Sequence, residues 1–185
     1  SFLIHSLLDF YEVSFQESHL VKARELAERA LELFYRDGFS ERCALHEPLY
    51  ARVCDAQDNV MPSGVSMIVK ALFRLNSIEH SVDYEEIIKN ELERNINLIE
   101  QKPVEYPVLL SVLSGMYGDF YSVEISGNKL FVYSVHKALL QIPQFNMQIF
   151  LGNDKKDEIK VCFKNTCSVF GSFDEVKKFF EAKTR

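Results

Sequence analysis

The segment Pro107-Val-Leu-Leu-Ser-Val-Leu-Ser-Gly-Met-Tyr-Gly-Asp-Phe-Tyr-Ser-Val-Glu-Ile125 contains the change of pattern that decides the fold class. Proline suits the first turn of a helix and glycine its end, so a short helix is predicted from about Val108 to Tyr117. After Asp119 the apolar and polar residues alternate, which is typical of a half-buried strand. We therefore expect a mainly α fold with a small α/β tail, divided into 1–118 and 119–185.

Before this junction, apolar residues recur at helical spacing in four further segments, the first around Ile4. Ser18 is predicted to cap the second helix, Pro62-Ser63-Gly64 to open the third, and Asp83-Tyr-Glu-Glu86 to form a capping box at the fourth. Residues 36–62 show no convincing period and are expected to form a functional loop. The first unit is thus predicted to consist of helical hairpins.

The second unit is predicted from short strand and helix patterns. Strands over 120–125 and 146–151 flank a helix over about 130–141, which predicts a parallel pair with a right-handed crossover. A third strand is expected over 158–163, and Ser172-Phe-Asp-Glu175 resembles a capping box for a closing helix. This unit is therefore expected to be βαββα-like.

Composition and charge exclude several classes of protein. The 185 residues are 47% hydrophobic and 26% charged, which is ordinary for a globular protein. With 21 basic and 27 acidic side chains the net charge is −6, which argues against a nucleic-acid binder. No apolar run approaches the ~20 residues that span a bilayer, so no membrane partner is predicted. We expect a cytoplasmic protein, without a signal peptide or cofactor, that is a piece of a longer chain.

Three stretches, in the right order, resemble the family named after spermatogenesis-associated protein 20. The first is the helix pair containing Leu3-Ile-His-Ser-Leu-Leu-Asp-Phe-Tyr-Glu12. The second is Arg52-Val-Cys-Asp-Ala-Gln-Asp-Asn-Val-Met-Pro-Ser-Gly-Val-Ser66, followed by Ala71-Leu-Phe-Arg-Leu75. The third is Val161-Cys-Phe-Lys-Asn-Thr-Cys167. The family usually has Asn where this chain has Val65.

The resemblance implies a longer protein with an N-terminal thioredoxin-like domain and an (α/α)6 toroid, similar to those of six-hairpin glycosidases and N-acylglucosamine 2-epimerases. This chain would be the C-terminal portion, so its helices would form an incomplete toroid. Its partners would be the missing N-terminal toroid helices and the thioredoxin-like domain of the same protein. Membership of such a fold does not by itself transfer an activity.

The candidate site lies just before the third helix, where Arg52, Asp55 and Asp58 precede Ser63 and Ser66. Two carboxylates and an arginine at the mouth of a toroid would bind the hydroxyls of a sugar-like ligand, with Asp58 as the catalytic acid or base. Arg52, Asp55, Ser63 and Ser66 would then be ligand-binding residues. In the structural alternative, Asp58 stabilises the helix dipole and Ser63 caps the helix.

Cys162 and Cys167 form the second candidate site, with four residues between them. A redox pair usually has the spacing Cys-x-x-Cys near a helix N-terminus, so a redox role is the weaker interpretation. A zinc site would need two further ligands, and no second Cys or His pair lies close in the sequence, so no metal is predicted. A pair of thiols that closes a turn, reduced or oxidised, is the expected arrangement.

Two hypotheses for the function remain open. In the first, the toroid cavity binds or processes a carbohydrate-like ligand. In the second, the chain is a non-catalytic scaffold or interaction module that supports a redox-active thioredoxin-like domain. The second hypothesis predicts that local partners satisfy Asp55 and Asp58. An apolar face left uncovered would in addition favour a homodimer.

Overall fold

The computed structural model describes residues 1–40, 55–142, 146–164 and 166–183. The chain divides into two compact units, Ser1–Gly118 and Asp119–Arg185. None of the helices in these ranges is both long enough and apolar enough to cross a membrane.

The first unit is helical, as the periodicity predicts. The elements are α1 (Phe2–Ser14), α2 (Glu17–Phe34), α3 (Gly64–Glu79), α4 (Val82–Gln101), a 3-10 turn (Pro103–Glu105) and α5 (Pro107–Tyr117). Helices α1 and α2 pack as a hairpin, and α3 packs against α1, α4 and α5. The fully buried side chains at the centre of this packing include Leu8, Leu72, Leu75, Ile88 and Leu109.

Two of the predicted helix starts are wrong by two residues. Helix α2 begins at Glu17, so Ser18 lies within its first turn and does not cap it. Helix α4 is capped by Ser81, whose hydroxyl accepts a hydrogen bond from the backbone N–H of Tyr84. Asp83 then falls in the first turn, where a negative charge interacts favourably with the helix dipole.

The second unit contains a four-stranded mixed sheet with two helices. Its elements are β1 (Tyr121–Ser126), α6 (Lys129–Leu139), β2 (Met147–Leu151), β3 (Glu158–Phe163), β4 (Thr166–Phe170) and α7 (Phe173–Lys183). The strand order is β2-β1-β3-β4. Strands β1 and β2 are parallel, which confirms the predicted pair, and β3 is antiparallel to both β1 and β4.

Strand β4 is an addition to the βαββα pattern expected from the sequence. It follows β3 through a two-residue connection, because Phe163 pairs with Thr166. Lys164 begins this connection with a φ of 53°, in the left-handed region. A lysine is unusual there, since such hairpin turns favour Asn-Gly or Asp-Gly. The turn therefore lacks the glycine that marks most two-residue hairpins, although the spacing of Cys162 and Cys167 fits a turn.

Buried residues of β1 and β3 form part of the core of the second unit. Alternate residues of β1 and β3, such as Val123 and Val161, are completely or almost completely buried. Helix α7 packs against β3 and β4. The ring of Tyr121 stacks on that of Phe163 and meets Phe180 of α7 edge to face, with 5.1 Å between ring centroids in both pairs. These aromatic contacts join the helix to the sheet.

Candidate functional site

Asp58 lies in the segment that leads into α3, and its side chain is buried, with 7% exposed. Its backbone N–H donates to the carbonyl oxygen of Glu105, 2.7 Å away. This bond fixes the segment against the 3-10 turn that precedes α5. The Asp58 carboxylate is thereby held between the beginnings of two helices.

Both carboxylate oxygens of Asp58 accept hydrogen bonds from within the helical unit. Oδ1 accepts from the backbone N–H of Ser63 at 2.8 Å and from the hydroxyl of Ser66. Oδ2 accepts from the backbone N–H of Val108 at 3.0 Å. The first N–H groups of a helix have no partner within the helix, and a negative charge is stabilised at that end. Asp58 therefore acts as a shared acceptor for α3 and α5.

The local sequence explains why α5 needs such an acceptor. Pro107 occupies the first position of α5, and its fixed φ suits that position. Because proline has no N–H, the first donor that the helix presents is the N–H of Val108. Asp58 accepts from that donor.

Ser63 and Ser66 belong to the same hydrogen-bonded cluster. Ser63 is the N-cap of α3, and its hydroxyl oxygen accepts from the backbone N–H of Ser66 at 2.9 Å. Ser66 is completely buried. The structural alternative for Ser63 is confirmed, and the hydroxyl of Ser66 is directed to protein atoms.

Asp55 is exposed and lies outside this cluster. Its Oδ1 accepts from the backbone N–H of Gln57 at 2.8 Å, which is the hydrogen bond of an Asx turn. Its negative charge acts on Tyr106, where burial raises the pKa of the phenol and the charge of Asp55 adds to that effect. Arg52, the remaining member of the predicted site, lies outside the described residues.

A cavity of about 260 Å³ lies beside the start of α3. The described residues that line it include Ala30, Phe34, Phe39, Gly64, Val65 and Ile68. Asp55, Asp58, Ser63 and Ser66 are not among these lining residues. The structure thus brings Asp58, Ser63 and Ser66 together, but in a hydrogen-bonded helix junction.

Cys162 and Cys167 are joined by a disulfide, and they lie directly opposite each other on β3 and β4. Their spacing in the sequence is that of a tight hairpin, because the two residues of the turn and one pair of strand residues separate them. Cys162 is half-buried and Cys167 is exposed. Over the described ranges, no group of three or more His, Cys, Asp or Glu side chains could hold a metal ion.

A charged cluster between α1 and α3 was not predicted. Nη1 of Arg74 donates to Asp9 at 2.7 Å, and Nη2 donates to Glu12 at 3.2 Å. Nε2 of His5 lies 2.9 Å from the carbonyl oxygen of Met67, so this nitrogen carries the proton of the neutral ring. His5, Asp9 and Glu12 are spaced i, i+4 and i+7, so they share one face of α1. This spacing is the feature of the sequence from which their proximity could have been predicted.

The electrostatics of this cluster keep His5 neutral. The pKa of His5 is lowered to about 4, chiefly by burial and also by the charges of Arg74 and Lys70, against the raising effects of the bond to Met67 and the charge of Asp9. Nδ1 of His5 lies 3.4 Å from Nη1 of Arg74, so a second ring proton would face a guanidinium. Protonation of His5 would therefore oppose the packing of α1 on α3.

Glu91 on α4 is a second buried ionisable group that sequence reasoning missed, with 2% of its surface exposed. Its Oε1 accepts from the backbone N–H of Phe39 at 2.9 Å. Asn95, one turn further along α4, donates to the carbonyl oxygen of Glu91 at 2.8 Å. Glu91 thus anchors the segment that follows α2 to the side of α4.

Comparison with known proteins does not identify a family, since neither the protein-family models nor the curated proteins contain a match to this chain. The resemblance to the family named after spermatogenesis-associated protein 20 therefore stays a prediction.

Proposed function

We propose that the helical unit is a non-catalytic scaffold, in which Asp58 joins α3 to α5. One observation carries this proposal. The buried carboxylate accepts from Ser63, Ser66 and Val108, so its hydrogen-bonding capacity is largely used within the unit. A sugar hydroxyl would have to displace one of these donors, and a displaced backbone N–H at a helix start would lose its partner. This arrangement favours the scaffold over a carbohydrate-binding site.

Self-association through α1 is the second part of the proposal. Leu3, Phe10 and Val13 are 61%, 61% and 66% exposed, although Ile4 and Leu8 of the same helix are buried. A helix that is apolar on opposite sides is normally covered on both. We propose that a second copy of the chain covers this face. The homodimer expected from the sequence would then form through the exposed apolar side of α1.

The pattern of the exposed face supports an antiparallel pairing. Leu3, Ser6, Phe10 and Val13 follow the spacing of a heptad seam. If two copies of α1 cross antiparallel about a two-fold axis near position 8, Phe10 of one copy lies opposite Ser6 of the other. A large side chain then faces a small one, which is how facing helices interdigitate.

We also propose that this chain is part of a longer protein. The order of the three resembling stretches supports a C-terminal position in a cytoplasmic protein of the family named after spermatogenesis-associated protein 20. The helices would then be part of an α/α toroid, preceded in the same protein by further toroid helices and a thioredoxin-like domain. A structure of the natural full-length protein tests this, and an N-terminal region of another fold would contradict it.

The experiment that tests the scaffold compares Asp58→Asn with Asp55→Asn in the natural full-length protein. Binding of a panel of mono- and oligosaccharides is measured by calorimetry, and the free energy of unfolding by urea titration. We expect no saccharide binding by either variant or by the unmodified protein, and a loss of stability in Asp58→Asn only. Saccharide binding that Asp58→Asn abolishes, with unchanged stability, would show that the carbohydrate hypothesis is correct and the scaffold is wrong.

A further inference from the structure

The hairpin of β3 and β4 holds Cys162 and Cys167 at one pair of positions in the sheet. Five residue pairs connect the two strands, and the cysteines face each other with 4.0 Å between their Cα atoms. The backbone ladder maintains this register independently of the disulfide. The two sulfur atoms therefore remain neighbours after reduction, at a high effective concentration for forming the bond again.

Much of the packing of the second unit does not involve the disulfide. With four residues between the two cysteines, the bond closes a short loop, which restricts the unfolded chain less than a long loop does. The buried residues of β1 and β3 and the contacts of Tyr121 with Phe163 and Phe180 do not include either sulfur atom. We therefore expect the unit to stay folded after reduction.

The two cysteines differ in how exposed they are. Strand β4 lies at the edge of the described sheet, and Cys167 on it is exposed. Cys162 lies on β3, between β1 and β4, and is half-buried. Because thiol–disulfide exchange depends on access to the sulfur that is attacked, Cys167 is the position an external thiolate reaches first.

We propose that Cys162 and Cys167 form a reversible disulfide that accepts two electrons from a dithiol reductant, with Cys167 as the attacked residue. A thiolate of the reductant forms a bond to Sγ of Cys167, and the Cys162–Cys167 bond breaks. Sγ of Cys162 leaves with the electron pair and takes a proton. The second thiol of the reductant then attacks its own sulfur in the mixed disulfide, which releases Cys167. The reductant ends as a disulfide and the protein as a dithiol.

The first experiment measures reversibility in a Cys43→Ser/Cys54→Ser background, so that only Cys162 and Cys167 report. The protein is equilibrated in mixtures of reduced and oxidised dithiothreitol from both directions, acid-quenched, alkylated and weighed by mass spectrometry. We expect two alkylations to appear and disappear with one midpoint from both directions, with an unchanged circular dichroism spectrum. Reduction that occurs only together with unfolding, or thiols that do not reoxidise, would overturn the proposal.

The second experiment identifies the attacked sulfur by trapping the mixed disulfide that the oxidised protein forms with reduced glutathione, a monothiol. In the same background, the reaction is quenched with acid at early times, the cysteine that has been released is alkylated, and the position of glutathione is mapped by peptide mass spectrometry. We expect glutathione on Cys167 in at least about tenfold excess over Cys162, since access to the attacked sulfur limits the reaction. Equal amounts at the two positions, or more at Cys162, would show that the assignment of Cys167 is wrong.

Discussion

The carboxylate of Asp58 accepts a hydrogen bond from the backbone N–H of Val108 at 3.0 Å, across fifty positions of the chain. The same carboxylate accepts from Ser63 and Ser66 at the start of α3. One buried side chain therefore fixes the beginnings of two helices, and the predictions for the first unit start from this contact.

Replacing Asp58 by Asn should destabilise the helical unit. The amide keeps the shape of the side chain, but it loses the charge and turns an N–H₂ group toward one of the donors. We expect the free energy of unfolding to fall by about 2–4 kcal/mol, measured by urea titration. The matched control is Asp55→Asn, an exposed site at which a change of within about 0.5 kcal/mol is expected. Equal effects of the two substitutions would contradict the role given to Asp58.

The stability should fall as the pH is lowered from about 6.5 to about 4, because of His5. Its pKa is lowered to about 4 in the folded protein, whereas the unfolded chain has the ordinary value of 6.5. Within this window the unfolded chain binds the proton and the folded protein does not, so protonation favours unfolding as pH falls. The contribution of His5 is fully present above pH 6.5, and about 3 kcal/mol of it is lost by pH 4.

The measurement for His5 is a series of urea titrations between pH 4 and pH 7. The difference between the unmodified protein and His5→Gln should vary with pH, because glutamine does not titrate. A constant difference across the window would show that His5 does not titrate with a lowered pKa.

Replacing Arg74 by Met should weaken the packing of α1 on α3. The guanidinium is only 13% exposed and contacts both Asp9 and Glu12, so its loss leaves two carboxylates without this partner. We expect a loss of about 1–3 kcal/mol in thermal or urea unfolding. The control is Lys22→Met, which breaks an exposed pair with Glu25 and should change stability by less than about 1 kcal/mol.

Replacing Phe10 by Glu should abolish the proposed self-association. A charge on the seam of α1 would be buried against the second copy, whereas the monomer tolerates it because Phe10 is exposed. Sedimentation equilibrium over a range of concentrations should show dimer for the unmodified protein and monomer for the variant. Tyr133→Glu, at an exposed position of α6, is the control and should still dimerise. A dimer that persists in Phe10→Glu would place the interface elsewhere.

The helices and the parallel strands were predictable because their signals are local. Pro107 and Gly118 mark the two ends of α5, and its observed bounds differ from the predicted ones by a single residue. The wrong start of α4 shows the limit of such signals, since Ser81 and Asp83 are both good capping residues. Strand β4 was missed because Lys164 adopts its left-handed backbone without a glycine.

The candidate site was predictable as a set of residues but not as an arrangement. Asp58, Ser63 and Ser66 are close in sequence, so their proximity follows from the chain itself. The N–H of Val108 reaches Asp58 only because α3 packs against α5. The spacing of residues in the sequence does not predict that contact. Only part of the charged cluster was predictable from the sequence. His5 and Asp9 share a face of α1, whereas Arg74 comes from α3.

The bond between Asp58 and Val108 also sets a boundary for dissecting the chain. It closes a noncovalent ring that contains α3 and α4, with the turn at His80 and Ser81 opposite the closure. A truncation that ends between Gln101 and Val108 would preserve both helices of this hairpin but remove this bond, and one that ends before Glu105 would also remove the bond from the Asp58 N–H to the Glu105 carbonyl. An insertion at the turn would enlarge the ring and leave its closing bond intact, and enlarging a flexible loop costs little free energy. The turn between α3 and α4 is therefore the place to attach a tag or label, and Val108 marks the shortest C-terminal limit of a piece that keeps both contacts of Asp58 with this end of the ring.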